Sequence, residues 1–194
     1  MKIISGKYKG RVLKGFDIKG TRPTMDRVKE SVFAMIQDYI KDSVVLDLYS
    51  GSGNLGIEAL SNGASLAYLV DNNKIAINII NQNIKTLNIT NAKINKDDAI
   101  NVINNLIKGN IKLDIIFLDP PYETNELTRA LSKINSNIDL LSNTGIIVCE
   151  TTLNIDYSLY DNFEIYKERK YSDKQVIILK VSKNVKFKKK IKNN

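Results

Sequence analysis

The residues with the clearest chemical potential form one short run, Ile115-Ile116-Phe117-Leu118-Asp119-Pro120-Pro121-Tyr122. Two successive prolines exclude a helix and remove two backbone donors, so the apolar strand must end there in a rigid turn. Such a turn projects the Asp119 carboxylate, the Pro120 carbonyl and the Tyr122 ring from a strand tip. An exocyclic amine on a nucleobase is a poor nucleophile, because its lone pair is delocalised into the ring. A carboxylate oxygen and a main-chain carbonyl that accept its two hydrogens favour a pyramidal nitrogen and expose that lone pair. The carboxylate also stabilises the positive charge that develops on nitrogen during methyl transfer. Tyr122 supplies a flat face for a base extruded from its helix. The bland alternative is a structural Pro-Pro turn with a capping aspartate.

A second run, from Val44 to Gly56, carries G-x-G-x-x-G at Gly51, Gly53 and Gly56, after a strand and before a helix. Asp71 follows Gly51 by 20 residues, at the end of the next strand. This is the spacing of a nucleoside site: glycines let the backbone approach the ligand and the acid takes two ribose hydroxyls. Ser50 and Asn54 border the turn, and Asn72 borders the acid. Asp47, four residues before Gly51, would repel a pyrophosphate but tolerates or attracts a sulfonium. The turn therefore favours S-adenosylmethionine, with S-adenosylhomocysteine as product, over NAD. Without a ligand the glycines would make only a tight turn. After a third short strand, Asp98 can accept an adenine amino group and the Ala99 amide can meet a ring nitrogen. A helix N-cap at Asp97 or Asp98 is an equally good reading, and both roles can coexist.

Composition narrows the alternatives. The chain has 194 residues and no histidine, which removes Ser-His-Asp triads, histidine acid–base chemistry and histidine metal sites. A single cysteine, Cys149 in a buried strand, excludes disulfide frameworks and cysteine-only zinc sites, and no metal is expected. The net charge of +8 is divided: residues 1–30 carry +6, residues 174–194 carry +8, and the segment between them carries −6. Basic ends around an acidic body suggest a polyanionic partner met by the termini. Lys7, Lys9, Arg11, Arg22 and Arg27, with Lys14, Lys19 and Tyr8 interleaved, are suited to phosphate contacts that position RNA without reading its sequence. No run approaches the roughly 18 apolar residues of a membrane span, and the start has no signal-peptide core, so a cytoplasmic monomer is expected.

The elements that must position these groups alternate. Residues 2–16 read as two short strands around Gly6-Lys7-Tyr8-Lys9-Gly10. Thr24 can cap a helix whose apolar face is Val28, Val32, Ile36 and Ile40. Strands at 44–49, 66–70, 93–95, 114–118 and 146–150 then alternate with helices at 54–62, 73–86, 99–108 and 125–135. A strand pair at 162–170 and 175–182 closes the body and suggests an antiparallel strand at one edge. The expected fold is α/β: a Rossmann-like, seven-stranded, mostly parallel sheet with helices on both faces and the last strand antiparallel. The expected division is a basic hairpin extension (1–23), one catalytic domain (24–182) and a basic tail (183–194).

The chain resembles the class I adenosylmethionine-dependent methyltransferases of exocyclic amines. Among them it is similar, over nearly its full length, to the bacterial 16S ribosomal RNA guanine-N2 methyltransferase family. The likeness rests on Arg11 within its Gly-Lys-Tyr-Lys-Gly context, Thr21-Arg22-Pro23-Thr24 with Asp26-Arg27-Val28-Lys29-Glu30, Leu46-Asp47 with Gly51-Ser52-Gly53-Asn54-Leu55-Gly56-Ile57-Glu58-Ala59-Leu60, and Asp119-Pro120-Pro121-Tyr122. The last signature is shared by several activities; the N-terminal motifs select this family. The resemblance implies that the glycine turn, Asp71 and Asp98 hold the cofactor and that Asp119 to Tyr122 hold the guanine amine. It places Thr24 near the methionine end of the cofactor or the entering RNA, and makes ribosomal RNA, in a 30S subunit or an assembly intermediate, the partner. The family's charged run after the second strand is replaced by Asp71-Asn72-Asn73-Lys74, which keeps Asp71. The lysine-rich C-terminus lies outside the family's motifs and suits an accessory RNA-binding tail.

Three other enzyme readings compete. A DNA adenine-N6 methyltransferase uses the same signature but needs a target-recognition domain for which the chain has no room. A protein-glutamine methyltransferase usually has Asn at the position of Asp119. An NAD oxidoreductase conflicts with Asp47. A non-catalytic RNA-binding assembly factor is the alternative from another class.

Overall fold

The computed structural model describes residues 1–16, 22–121 and 124–183, with 22–25 described by their backbone alone. Tyr122, Lys19 and the tail beyond Lys183 lie outside the described residues, as do the side chains of Arg22 and Thr24.

Seven strands form one sheet: β1 (Val44–Asp47), β2 (Leu66–Asp71), β3 (Ala92–Lys96), β4 (Leu113–Leu118), β5 (Leu141–Thr151), β6 (Phe163–Lys170) and β7 (Gln175–Val181). Their order is β3-β2-β1-β4-β5-β7-β6, and only β7 runs against the other six. β1, β2 and β4 are mainly apolar, interrupted only by Asp114 near the start of β4 and by the terminal Asp47 and Asp71, because both faces of the sheet are covered. Helices α1 (Arg22–Ile40), α2 (Asn54–Ser61) and α3 (Lys74–Leu87) cover one face, joined by Ile3 and Leu13 of the N-terminal segment. Helices α4 (Ala99–Lys108) and α5 (Glu126–Asn135) cover the other. Phe117 of β4 is fully buried and stacks on Phe33 of α1, with centroids 5.9 Å apart. Burying such a ring contributes roughly 2–3 kcal/mol, and the stack adds about 1 kcal/mol.

Three sequence expectations need correction. The antiparallel strand is not at the edge: β7 is inserted between β5 and β6. Gln-Val-Ile-Ile-Leu-Lys-Val is largely buried in β7, whereas Phe-Glu-Ile-Tyr-Lys-Glu-Arg-Lys is mostly exposed in β6. The charged strand takes the edge, where charges discourage further pairing. The two expected N-terminal strands are not formed beyond one bridge, Lys2 to Val12, although the segment still turns back on itself: the Ile3 amide donates to the Arg11 carbonyl at 3.0 Å and the Gly10 amide to the Ile3 carbonyl at 2.8 Å, while the Ile4 and Ser5 amides donate to the carboxylate of Glu58, each at 3.0 Å. Finally, α1 begins at Arg22, so Thr24 lies within its first turn rather than capping it. Pro23, with its fixed φ, suits that first turn.

Candidate active site

The first strand and its turn form one wall of the site. Ser50 ties the tips of β1 and β2: its Oγ donates to the Asp47 carbonyl at 2.6 Å and accepts from the Val70 amide at 2.8 Å. The Gly51 amide donates to Asp71 Oδ2 at 2.9 Å, and Asp71 Oδ1 accepts from the Asn73 amide at 2.8 Å. The predicted ribose acid thus also holds the glycine turn in shape. Gly56 brings α2 against the sheet; a Cβ there would lie 2.2 Å from Leu69 Cδ2. That approach lets the Gly56 amide donate to Asp47 Oδ2 at 2.9 Å. Burial pushes the Asp47 carboxyl up to about 7; the Gly56 amide opposes this and the Asp71 charge adds to it. Gly53 caps α2 at φ +80° and does not line the cavity below.

Asp98 is the N-cap of α4, accepting from the Ile100 amide at 2.8 Å, and Asp97 accepts from the Asp98 amide at 2.7 Å. The capping reading therefore holds for Asp98. Both acids and Ala99 still line the cavity.

The opposite wall is the tip of β4. Leu118 is in register with Cys149, and Glu150 with Val176, so Asp119, Glu150 and Lys174 stand at the ends of three adjacent strands. Lys174 Nζ lies 2.5 Å from Glu150 Oε1, with both side chains largely buried. Burial pushes the Asp119 carboxyl up to about 8; the Glu150 charge adds to this, Lys174 opposes it, and Asp47 adds a smaller push. Pro120 is buried, while Pro121 is exposed and its carbonyl accepts from Thr124 Oγ1 at 2.8 Å.

Between these walls, over the C-terminal ends of β1 and β4 where the strand order reverses, lies a cavity of about 940 Å³. It brings together Asp47, Ser50, Gly51, Asn54, Asp71, Asn72, Asp98, Ala99, Asp119, Pro120 and Pro121. Eight of its described lining residues are acidic and two are lysines. A pyrophosphate would be repelled by this lining, whereas a sulfonium with an adenosine and an amino acid group fits its charge and hydrogen-bonding capacity.

Sequence reasoning missed the clasp behind the glycine turn. Lys29 and Glu58 are buried and paired at 2.8 Å. Lys29 Nζ also donates to Asn54 Oδ1 at 2.8 Å and to the Lys2 carbonyl at 2.7 Å. The available signal was an acid inside the otherwise apolar helix Asn-Leu-Gly-Ile-Glu-Ala-Leu-Ser, since a buried acid requires a partner. Gly6, at φ +77°, lies so close to Ser61 that a Cβ would fall 1.9 Å from its carbonyl oxygen. The docked segment contributes Met1 and Phe16 to the cavity and leaves Lys7, Lys9 and Arg11 exposed; Arg27 of α1 is exposed as well. Tyr49 and Glu126 were also missed: both line the cavity, and the Tyr49 hydroxyl is 3.2 Å from Glu126 Oε2.

The chain is similar to YlbH of Bacillus subtilis (strain 168), with 42% identity over 151 residues, 77% of this chain and 82% of that one. It is 37% identical over 172 residues to ribosomal RNA small subunit methyltransferase D of Buchnera aphidicola subsp. Baizongia pistaciae, covering 88% and 86% of the two chains. Among solved structures, yhhF of Escherichia coli superposes with a TM-score of 0.79 at 26% identity, over 94% of this chain and 98% of that one. SMU.776, solved in complex with SAH, shares the fold at a TM-score of 0.61 and 17% identity, over 77% of this chain and 49% of that one. The family described as Conserved hypothetical protein 95 matches residues 1–180, and this chain belongs to it.

Proposed function

We propose that this chain methylates the exocyclic N2 amine of a guanine in small-subunit (16S) ribosomal RNA, converting S-adenosylmethionine to S-adenosylhomocysteine. The observation that carries this reading is a single cavity with a nucleoside wall and an amine-gripping wall, Asp71 and Asp98 on one side and Asp119 and Pro120 on the other. The name of the Buchnera relative, and the SAH bound to a chain of the same fold, support the RNA and the cofactor.

When bound, the cofactor supplies an electrophilic methyl group. Of the residues that line the cavity, Asp71 and Asn72 would take the ribose, Asp98 and Ala99 the adenine, and the Gly51 turn with Asn54 the methionine end. Thr24, in the first turn of α1, belongs to the same cofactor reading. Asp119 and the Pro120 carbonyl accept the two amine hydrogens, which leaves the nitrogen lone pair facing the donor. In-line transfer depends on positioning more than on a general base; the sulfur leaves as S-adenosylhomocysteine, and the methylated nitrogen then sheds one proton, to Asp119 or to water. Tyr122 follows directly and would stack on the extruded base. Lys7, Lys9, Arg11 and Arg27 would hold phosphates outside the cavity, with Arg22 assigned to the same partner from the sequence, and a monomer would act in the cytoplasm on a 30S subunit or its precursor.

Mass spectrometry of ribosomal RNA from a strain lacking the gene should show one missing N2-methylguanine, restored by the wild-type gene. An unchanged set of modified nucleotides would overturn the proposal. Calorimetry should detect binding of S-adenosylmethionine and not of NAD.

A further inference from the structure

The cavity contains a polar pair that the transfer step itself does not use. Glu150 and Lys174 line it beside Asp119, in the sheet order β4, β5, β7. Lys174 Nζ is held 2.5 Å from Glu150 Oε1, the side chains are only 8% and 15% exposed, and the charges of both reach Asp119. A charged pair largely withdrawn from water at the edge of a ligand cavity costs desolvation free energy, which a solely structural role would leave unused. From β4 to β7 the tips present an acceptor, an acceptor and a donor: Asp119 with the Pro120 carbonyl, then Glu150, then Lys174. The pairing edge of guanine presents the complement in the same order: the N2 amine, the N1–H and the O6 oxygen. Adenine offers an amine followed by the N1 lone pair, which would face the Glu150 carboxylate.

We infer that Glu150 and Lys174 are the specificity residues of this site, Glu150 accepting the N1–H of the target base and Lys174 donating to its O6. This rests on the guanine-N2 reading above and deepens it by naming the groups that choose the base. A carboxylate offers about four lone-pair sites, so holding Lys174 does not prevent Glu150 from accepting a further donor, and the pair need not separate when the base enters. The arrangement also explains how an amine-gripping tip of a type that serves several bases would be confined to one.

The test compares wild-type enzyme on small-subunit particles reconstituted with the mapped target nucleotide as guanine or as 2-aminopurine. The analogue keeps the N2 amine, lacks O6, and has a lone pair where guanine has N1–H. Losing two hydrogen bonds to charged groups should lower kcat/KM by about 100-fold or more. In Glu150→Gln the amide can donate to N1 of the analogue, so the preference for guanine should fall by about tenfold or more. In Lys174→Met both rates should fall, because Asp119 and Glu150 lose an opposing charge, but the rate on guanine should fall about tenfold further than that on the analogue, which has no O6 to lose. A variant weakened only in folding would lose both substrates in proportion. Equal wild-type rates on the two bases, or an unaltered preference in both variants, would overturn the inference while leaving guanine methylation intact. Absence of methyl transfer to either particle by the wild type would overturn both readings.

Discussion

Replacing Asp119 by Asn removes a carboxyl from a place that penalises its charge, so the substitution should stabilise the fold while abolishing methyl transfer. The carboxyl is raised from 3.8 to about 8. At about 1.4 kcal/mol per pH unit, that difference, which already includes the opposing charge of Lys174, bounds the penalty at about 6 kcal/mol, and screening by cavity water reduces it to about 2 kcal/mol. The sign follows from the direction of the shift. Below about pH 4 the carboxyl is protonated in both native and unfolded chains and costs nothing. Between about pH 4 and pH 8 the unfolded chain ionises first, so the native state loses stability as pH rises; above about pH 8 the loss is constant. The gap in Tm between Asp119→Asn and wild type should therefore open from pH 5 to pH 9 and reach roughly 4–8 °C. Asp47, raised to about 7, adds a slope of the same sign to both proteins, so only the difference between the two curves isolates Asp119. Above about pH 8, where the wild-type carboxyl is ionised, the same variant keeps one acceptor oxygen but no charge to balance the developing cation, and its transfer rate should fall by roughly 100- to 1,000-fold. Calorimetric melts across pH, paired with radiolabelled methyl transfer, measure both effects. A gap independent of pH, or a variant that methylates at the wild-type rate, would refute the reasoning.

Three further outcomes are expected. Glu58→Gln uncouples Lys29 and weakens the carboxylate's hold on the Ile4 and Ser5 amides; breaking a buried pair costs about 3–5 kcal/mol, so Tm should drop by about 10 °C, and a drop below about 3 °C in thermal unfolding would contradict the clasp. Gly6→Ala places a methyl against the Ser61 carbonyl, and limited proteolysis should cut within residues 1–13 faster than in wild type while the sheet stays protected; equal cutting rates would show that the segment docks some other way. Replacing Lys7, Lys9 and Arg11 together by Ala should lower the slope of log affinity against log salt for RNA by about 2 and leave binding of S-adenosylmethionine intact. An unchanged slope would mean that these exposed cations are only solvated.

How much of this was legible in the sequence depends on whether the partners are close along the chain. β1, β2 and β4 declare themselves because burial on both faces demands mainly apolar runs, and the prolines at 120 and 121 mark where β4 must stop. The cap at Asp98 is readable because its acceptor and the Ile100 amide lie two residues apart. The order of the last two strands is less so, since both segments are strand-like; only the contrast between the charges of β6 and the aliphatic run of β7 says which can be enclosed. The N-terminal hairpin keeps part of its ladder, but its Ile4 and Ser5 amides go to Glu58, more than 50 residues away, an outcome that local pattern cannot anticipate. Glu150 and Lys174 are likewise 24 residues apart and meet only because β7 returns antiparallel beside β5.

The division of charge seen in the sequence acquires a physical purpose once the cavity is known. Acids outnumber lysines by eight to two around it, while the exposed N-terminal cations sit on a segment whose Met1 and Phe16 reach its wall. A ribose-phosphate backbone drawn into such a lining would face several uncompensated carboxylates at short range. A nucleobase carries no net charge and would not. On the function proposed above, the field of the protein would therefore sort the parts of one nucleotide, holding phosphates at the basic exterior and admitting only the base. This argues for an extruded acceptor independently of Tyr122: a guanine still paired in a helix could not bring its N2 amine to Asp119 without bringing phosphates from both strands toward the acidic cavity.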